Sequence, residues 1–294
     1  MNDTDIRRPP YRPLFLVFDG MDGSGKTNLL AGRLRAEGVP VAVTAEPTAS
    51  PDGKRLRQAL SGAVAAGAEE LATLFLLDRI GHNLAQDGID ACLRAGVTVL
   101  CDRYYYSSIA YQGGDDSARM AWVCRMNLDC PAVRRPDACL LFDLEPETAM
   151  RRITARAGGA ATEIYETLEQ QTRIRARFRR VREMLAEQDH ILTVDAAGNR
   201  EDIARQVYAL WHIIGFYRQY AGKTYREAPV RQVGYGRADR GSEKLILKYA
   251  RRINHGNAGT DAPYGLQHME YLRTQYQRAN DAGDHGRDGR ARLP

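Results

Sequence analysis

Short apolar runs alternate with longer amphipathic stretches along most of this chain. The runs have four or five residues each, long enough for buried strands and too short for most helices, and lie at residues 14–18, 39–43, 97–100, 138–142 and 191–194. Apolar residues recur at helical spacing at residues 29–35, 53–60, 68–87, 117–130, 147–155, 168–188 and 200–216. The alternation predicts βαβ units and therefore an α/β fold, a parallel sheet flanked by helices.

The first apolar run leads directly into a glycine-rich segment. Gly20, Gly25, Lys26 and Thr27 match the spacing G-x-x-x-x-G-K-[ST], which is typical of a phosphate-binding loop between a strand and a helix. The glycines let backbone N–H groups surround a phosphate, the lysine reaches the β- and γ-phosphates, and the threonine hydroxyl can bind Mg²⁺. We therefore predict a P-loop NTPase-type sheet that binds a nucleoside triphosphate and Mg²⁺, with nucleotide contacts from Gly20, Gly23, Ser24, Gly25, Lys26, Thr27 and Asn28.

Charged residues follow three of the other predicted strands. Glu46 comes shortly after the second strand, Asp102 and Arg103 after the third, and Asp143 after the fourth. Because ligands of parallel sheets bind at the carboxyl ends of the strands, these residues should face the phosphate loop. Asp102 can hold Mg²⁺ through water, and Arg103 can bind a second phosphate bidentately. The alternative is an ion pair at the end of the strand.

The composition is that of an ordinary globular protein, with 44% hydrophobic and 27% charged residues. No apolar stretch approaches the length of a membrane span, and residues 1–13 lack the apolar core of a signal peptide, so we expect a cytoplasmic protein without a membrane partner. The five cysteines form no C-x-x-C pair, which favours reduced thiols over disulfides or zinc.

The basic character of the chain is concentrated at its C-terminal end. The net charge is +5 overall, but residues 217–294 contain 15 Lys and Arg against 8 Asp and Glu, so the first 216 residues have a net charge of −2. We expect a domain at residues 1–216 and a basic, partly helical extension at 217–294 with a disordered end. Interleaved tyrosines and arginines leave nucleic-acid binding open, but without a recognisable motif a solubilising or packing extension is favoured.

Residues 102–114, DRYYYSSIAYQGG, carry a more specific pattern. Together with the glycine-rich loop they resemble the thymidylate kinase family, which has a loop E/D-G-x-D/E-G-x-G-K-T/S and a later segment D-R-Y-x-x-S-x-x-A-Y-Q-G. Further matches occur at residues 46–48, 75–83, 136–137 and 151–159. The resemblance, over about residues 14–215, implies a homodimeric nucleoside monophosphate kinase with a helical lid, which converts ATP and dTMP to ADP and dTDP with Mg²⁺.

The resemblance also implies roles for single residues at the acceptor nucleotide. Phe75 would stack on the base, Arg79 one helical turn later would hydrogen-bond a base carbonyl, and Ser108 would face the N3 edge. Tyr111 would lie beside the sugar and exclude a 2′-hydroxyl. The implied substrate-binding set is completed by Glu46, Arg103, Ser107 and Gln112.

At the phosphates, the resemblance implies a second group of residues. Arg103 would hold the acceptor phosphate, and Asp22 would lie near the sugar 3′-hydroxyl, that phosphate and the metal. Asp22, Thr27 and Asp102 are the implied metal-binding residues. Lys26 would stabilise the transferring phosphoryl group.

The lid is where this chain departs most from the family pattern. Residues 163–166 read E-I-Y-E where the family often has D-R-F/Y-E, and Ser24 and Ala45 stand where arginines are common. Arg152 or Arg156 would then supply the catalytic lid cation, unless these arginines form a solvated helix face. The departures leave open another or modified deoxypyrimidine monophosphate as acceptor, a slow enzyme, or a non-catalytic nucleotide-binding scaffold.

Overall fold

The computed structural model describes residues 11–21, 28–157 and 167–220. The chain divides into two compact units, residues 1–219 and 220–294, and the description covers the first almost exclusively. Several predicted site residues lie outside the described ones, namely Asp22, Gly23, Ser24, Gly25, Lys26 and Thr27. The side chains of Asn28 and Arg156 also lie outside the description, although both residues belong to described helices. The boundary at 216/217 and the character of the basic extension stay predictions.

Five parallel strands form one sheet in the described residues, which confirms the predicted fold class. In chain order they are β1 (Phe15–Gly20), β2 (Val41–Ala45), β3 (Thr98–Asp102), β4 (Ala138–Asp143) and β5 (Ile191–Asp195). Their order across the sheet is β2-β3-β1-β4-β5, so β1 lies at the centre. All six residues of β1 are buried, as expected for a central strand of a parallel sheet.

Each strand continues one or two residues beyond its apolar run. Asp102 is the last residue of β3 and pairs with Phe18 of β1 and Ala45 of β2. Asp143 likewise ends β4, opposite Asp195 of β5. Backbone pairing does not depend on side-chain polarity, so the ladders extend into the polar residues. Asp102 therefore lies within the sheet, and Glu46 and Arg103 directly follow the ends of β2 and β3.

Helices follow every strand. In the described part of the chain they are α1 (Asn28–Ala36), α2 (Pro51–Leu60), α3 (Ala68–Leu84), α4 (Ile89–Arg94), α5 (Tyr105–Tyr111), α6 (Ser117–Leu128), α7 (Pro146–Ala157), α8 (Leu168–Met184) and α9 (Arg200–Tyr220). Two of them, α4 and α5, were not predicted. Helix α4 has only six residues, and α5 shows no amphipathic period because every residue except its last is buried. Of these helices, none is long and apolar enough to span a membrane.

One predicted helix, at residues 68–87, is shorter than expected and ends at Leu84. The chain turns after Leu84, and the backbone of Gly88 packs against the carbonyl oxygen of His82. A Cβ on Gly88 would lie 2.4 Å from that oxygen, so only glycine fits there. The last two turns of α3 contact β2 and the loop after it, through His82 with Thr44 and Asp78 with Thr48.

Candidate active site

Asp19 joins the end of β1 to the start of α5. Its carboxylate is fully buried and accepts hydrogen bonds from the backbone N–H groups of Tyr104 and Ser107, both at 3.1 Å, and from the Ser107 hydroxyl at 2.7 Å. The first N–H groups of a helix lack intrahelical partners and carry partial positive charge, so a carboxylate there is stabilising. Asp19 thereby fixes the segment 104–112 relative to the entry of the phosphate loop.

Arg103 is held in an unusual backbone conformation between β3 and α5. Its φ is +65°, in the left-handed region, which costs a non-glycine residue about 1–2 kcal/mol. Its N–H donates to the carbonyl of Phe18 at 2.9 Å, and its guanidinium donates to the Ser107 hydroxyl at 3.0 Å. The guanidinium also lies 5.5 Å from the centre of the Tyr111 ring. The structure thus brings together three residues that were predicted separately.

Asp102 has a carboxylate oxygen that fits a bound cation. Its Oδ1 is buried and has no hydrogen-bond partner among the described residues. An unpaired buried carboxylate oxygen is unfavourable, so this atom suits an ion or an ion-bound water. Within the described ranges no group of three or more His, Cys, Asp or Glu could hold a metal alone.

Glu46 and Arg79 form a fully buried ion pair beside this edge of the sheet. Their side chains are each 1% exposed. A single carboxylate oxygen, Oε2 of Glu46, accepts from both Nε of Arg79 at 2.9 Å and Nη2 at 2.6 Å. Since both side chains are almost completely buried, each charge depends mainly on the other for compensation.

The rest of the Arg79 guanidinium is bound by two uncharged side chains. Nη2 also donates to the Ser108 hydroxyl of α5 at 3.2 Å, and Nη1 donates to Oδ1 of Asn127 in α6 at 2.5 Å. Four of the five guanidinium N–H groups are therefore used. The fifth, on Nη1, has no acceptor among the described residues.

Two further residues of α3, His82 and Asp78, bind Glu46 and the loop that follows it. His82 contacts the second oxygen of Glu46 at 3.1 Å and the Thr44 hydroxyl of β2 at 2.7 Å. Asp78 accepts from the backbone N–H of Thr48 at 2.8 Å and from the Ser50 hydroxyl at 2.6 Å. Helix α3 thus fixes both the carboxylate of Glu46 and the loop that follows it.

The negative charge of this cluster also acts on neighbouring groups. Burial raises the pKa of the Cys101 thiol well above its ordinary value, and the charge of Glu46 raises it further. The same two causes, in the same order, raise the pKa of the Tyr104 hydroxyl. Both groups therefore stay protonated and neutral at physiological pH, so Cys101 is not a nucleophile here.

The remaining residues that were predicted to bind the acceptor nucleotide lie on α3 and at the end of α5. Phe75 is half-buried on α3, one turn before Arg79. Gln112 is buried directly after α5, where its backbone N–H donates to the carbonyl of Ser108 at 3.0 Å. Tyr111 is half-buried and packs edge-on against Phe178 of α8, with ring centres 6.0 Å apart.

The lid arginine whose side chain is described lies apart from these groups. Arg152 donates to the carbonyl of Ala196 at 2.7 Å and to those of Ala197 and Gly198 at 3.2 and 3.1 Å, in the loop after β5. Arg175 of α8 instead binds both carboxylate oxygens of Asp143, at 2.7 and 3.0 Å. In this conformation Arg152 stabilises the β5–α9 loop, and its catalytic role stays a prediction.

Comparison with known proteins identifies the family. A family model described as thymidylate kinase matches residues 18–207, which include every described part of the site above. The chain belongs to the thymidylate kinase family. The predicted fold class and the predicted class of enzyme, an ATP-dependent nucleoside monophosphate kinase, are confirmed by that membership.

Individual relatives agree with the family match. A thymidylate kinase of Leptospira interrogans is 39% identical over 174 residues, which cover 58% of this chain and 82% of the relative. A probable thymidylate kinase of Pyrococcus horikoshii is 37% identical over 207 residues, 68% of this chain and 96% of the relative. A thymidylate kinase of Solidesulfovibrio magneticus is 33% identical over 213 residues, 69% and 99% respectively.

The sequence analysis assigned no role to four residues of the site, namely Asp19, Asp78, His82 and Asn127. Asp19 had a signal, because it is a charged residue between the apolar run at 14–18 and the glycine-rich loop, at the first position of the loop pattern of the family. Asp78 and His82 lie in the stretch 75–83 that matches the family, but the spacing of Asp78, His82 and Asn127 along the chain indicates no role for them. They are polar residues on amphipathic helices, where a solvent-facing position is the ordinary expectation.

Proposed function

We propose that this protein transfers the γ-phosphate of ATP to dTMP, giving ADP and dTDP, with Mg²⁺ as the required ion. The family and the names of its relatives support this reaction. The observation that supports it most specifically is the buried Arg79 guanidinium, which donates to Glu46, Ser108 and Asn127. One of its N–H groups has no acceptor among the described residues and is the proposed donor to the substrate. A fixed donor suits the O4 carbonyl of thymine or uracil and disfavours cytosine, which has an amino group at that position.

Arg103 is the proposed ligand of the acceptor phosphate. Its guanidinium is oriented by Ser107 at 3.0 Å and by the Tyr111 ring, and its backbone is held against β1. A preformed arginine can bind a phosphate without reorganising when the substrate arrives. This geometry supports the assignment of Tyr111 beside the sugar, since it lies next to Arg103.

Little covalent chemistry is required of the protein. An oxygen of the acceptor phosphate is already anionic, so it attacks the γ-phosphorus without a strong general base. The chain must bring two polyanions together and stabilise the transferring group, the roles proposed for Lys26, Arg103 and a lid arginine. Bound Mg²⁺ would neutralise negative charge on the ATP phosphates. Asp102 would hold that ion through its unpaired oxygen, with Asp22 and Thr27 as the other proposed ligands.

We also propose a homodimer in the cytoplasm. Helix α3 supports the dimer because Leu77 is 46% exposed and Leu84 is 60% exposed, with Gly81 between them on the same helical face. The location follows from the substrates, since ATP and nucleoside monophosphates are made and used inside cells. Sedimentation of the purified chain and of a Leu84→Glu variant tests the dimer: the variant should be monomeric.

The test of the proposed reaction is ADP formation from ATP and Mg²⁺ with dTMP, dUMP, dCMP and UMP offered separately. A Lys26→Ala variant serves as the control. We expect turnover with dTMP well above the others and a loss of about 10²-fold or more in the control. ATP binding without acceptor-dependent turnover would refute the proposal and favour a nucleotide-binding scaffold.

A further inference from the structure

Asn127 is a buried polar residue with two well-defined contacts. It is fully buried on α6, and its Oδ1 accepts from Nη1 of Arg79 at 2.5 Å. Its Nδ2 donates to the carbonyl of Val123, one turn earlier in the same helix, at 2.8 Å. The opposite orientation of the amide would place N–H groups against the guanidinium and an oxygen against a carbonyl. The two partners therefore fix which way the side chain points.

The contact between Glu46 and Arg79 does not fix the guanidinium by itself. Both bonds from Arg79 end on the same atom, Oε2 of Glu46. A guanidinium attached at one point can rotate about that point, whereas two parallel bonds to two oxygens would hold its plane. Ser108 binds Nη2, on the side of the guanidinium that Glu46 also binds, whereas Asn127 binds Nη1 and so holds the other side.

Nη1 also carries the N–H group that has no acceptor among the described residues. One of its hydrogens is donated to Asn127, so the direction of the other is set by that bond, because the guanidinium is planar. We propose that Asn127 is a positioning residue that aims this N–H at the base carbonyl of the acceptor nucleotide. It thereby sets the preference for thymine and uracil over cytosine. This inference rests on the proposed function.

The test compares three acceptors in wild-type protein and in Asn127→Leu, which has a similar shape but no acceptor atom. dTMP and dUMP both present the O4 carbonyl, whereas dCMP presents an amino group. We expect the ratio of kcat/KM for dTMP over dCMP to fall about tenfold or more in the variant, as for loss of a hydrogen bond to a charged group. The ratio of dTMP over dUMP and the KM for ATP should stay unchanged.

Two further variants separate positioning from stability. Asn127→Asp keeps an oxygen for Nη1 in either protonation state and should keep the dTMP preference. Asn83→Leu removes an equally buried asparagine whose bonds run to the Arg79 carbonyl and to the Tyr104 hydroxyl rather than to the guanidinium. It should lower stability without changing the acceptor ratios. If Asn127→Leu does not fold, the Asp variant decides, since a tenfold loss of preference there contradicts the proposal.

Failure of this inference can be told apart from failure of the proposed function. Wild-type protein that phosphorylates dTMP, together with an Asn127→Leu variant whose dTMP to dCMP ratio is unchanged, overturns the role of Asn127 alone. An equal decrease in kcat/KM for all three acceptors in that variant also overturns the role of Asn127, because an equal decrease indicates a general structural defect. Wild-type protein that does not distinguish dTMP from dCMP overturns both the inference and the proposed base recognition.

Discussion

Glu46→Gln tests how strongly the buried ion pair supports the fold. The substitution keeps the shape of the side chain and removes its charge, so Arg79 becomes a buried cation without a counter-charge. Both side chains are 1% exposed, so water can replace little of the lost interaction. Removing one partner of such a pair costs about 3–5 kcal/mol of unfolding free energy. Both bonds from Arg79 end on one oxygen, and the amide oxygen of glutamine can accept both, so we expect the lower end, about 3 kcal/mol.

The assay is urea unfolding followed by tryptophan fluorescence. Both tryptophans, Trp122 and Trp211, lie in the described unit, so the signal reports on that unit and not on the basic extension. With a slope of about 2–3 kcal/mol per molar, a loss of 3 kcal/mol lowers the midpoint by about 1 M or more.

A matched control uses the same substitution at an exposed pair. Glu169 and Arg173 are bound at 2.7 Å on the surface of α8, with side chains 72% and 51% exposed. Glu169→Gln should change stability by less than about 0.5 kcal/mol, because exposed pairs contribute little. If Glu46→Gln and Glu169→Gln have the same small effect, the reasoning about the buried pair is refuted. Recovery of part of the loss by adding Arg79→Met would support it further.

Three other predictions follow from the same structure. Asp102→Asn should lower kcat about 10²-fold and raise the Mg²⁺ concentration needed for half-maximal rate, measured by a magnesium titration; rates within twofold of wild type would argue against a role in metal binding. Burial lowers the pKa of His212 in the folded protein from the ordinary 6.5 to about 4. Between these two pH values the unfolded state therefore binds more protons than the folded state, so the free energy of unfolding decreases as the pH falls through this range. Between pH 7 and pH 5 the wild type should lose about 2 kcal/mol more than a His212→Gln variant in urea unfolding, and equal losses would contradict this. Gly20→Ala should destabilise by about 2 kcal/mol or more in urea unfolding, because φ is +120° and the new Cβ would lie 2.4 Å from the Phe142 carbonyl. Gly32→Ala, in open space on α1, should be neutral or stabilising in the same assay, and equal effects of the two substitutions would contradict this.

The strands and most helices could be predicted because their signals are local. An apolar run such as residues 138–142 predicts a buried strand without knowledge of its neighbours. The carboxyl-end rule then placed Glu46, Asp102 and Arg103 on one edge of the sheet, as the structure has them. Helix α5 was missed because burial of nearly all its residues removes the amphipathic pattern on which such predictions depend.

The hydrogen-bond network of the site could not be predicted because its contacts join distant parts of the chain. Arg79 pairs with Glu46, 33 residues earlier, and with Asn127, 48 residues later. No periodicity links these positions, and each residue alone resembles a solvent-facing polar side chain. The resemblance suggested Arg79, Ser108 and Glu46 as site residues, but not that they bind one another. Their connection depends on how α3, α5 and α6 pack.

The most direct test of the central claim is to follow the phosphoryl group itself. Wild-type protein is incubated with Mg²⁺, dTMP and ATP labelled in the γ-phosphate, and the labelled products are separated. We predict that the label appears in dTDP, and that no labelled dTDP forms without dTMP or with the Lys26→Ala variant. Label that appears only in inorganic phosphate, at a rate independent of dTMP, would contradict the account, because it would show ATP hydrolysis without transfer to the acceptor.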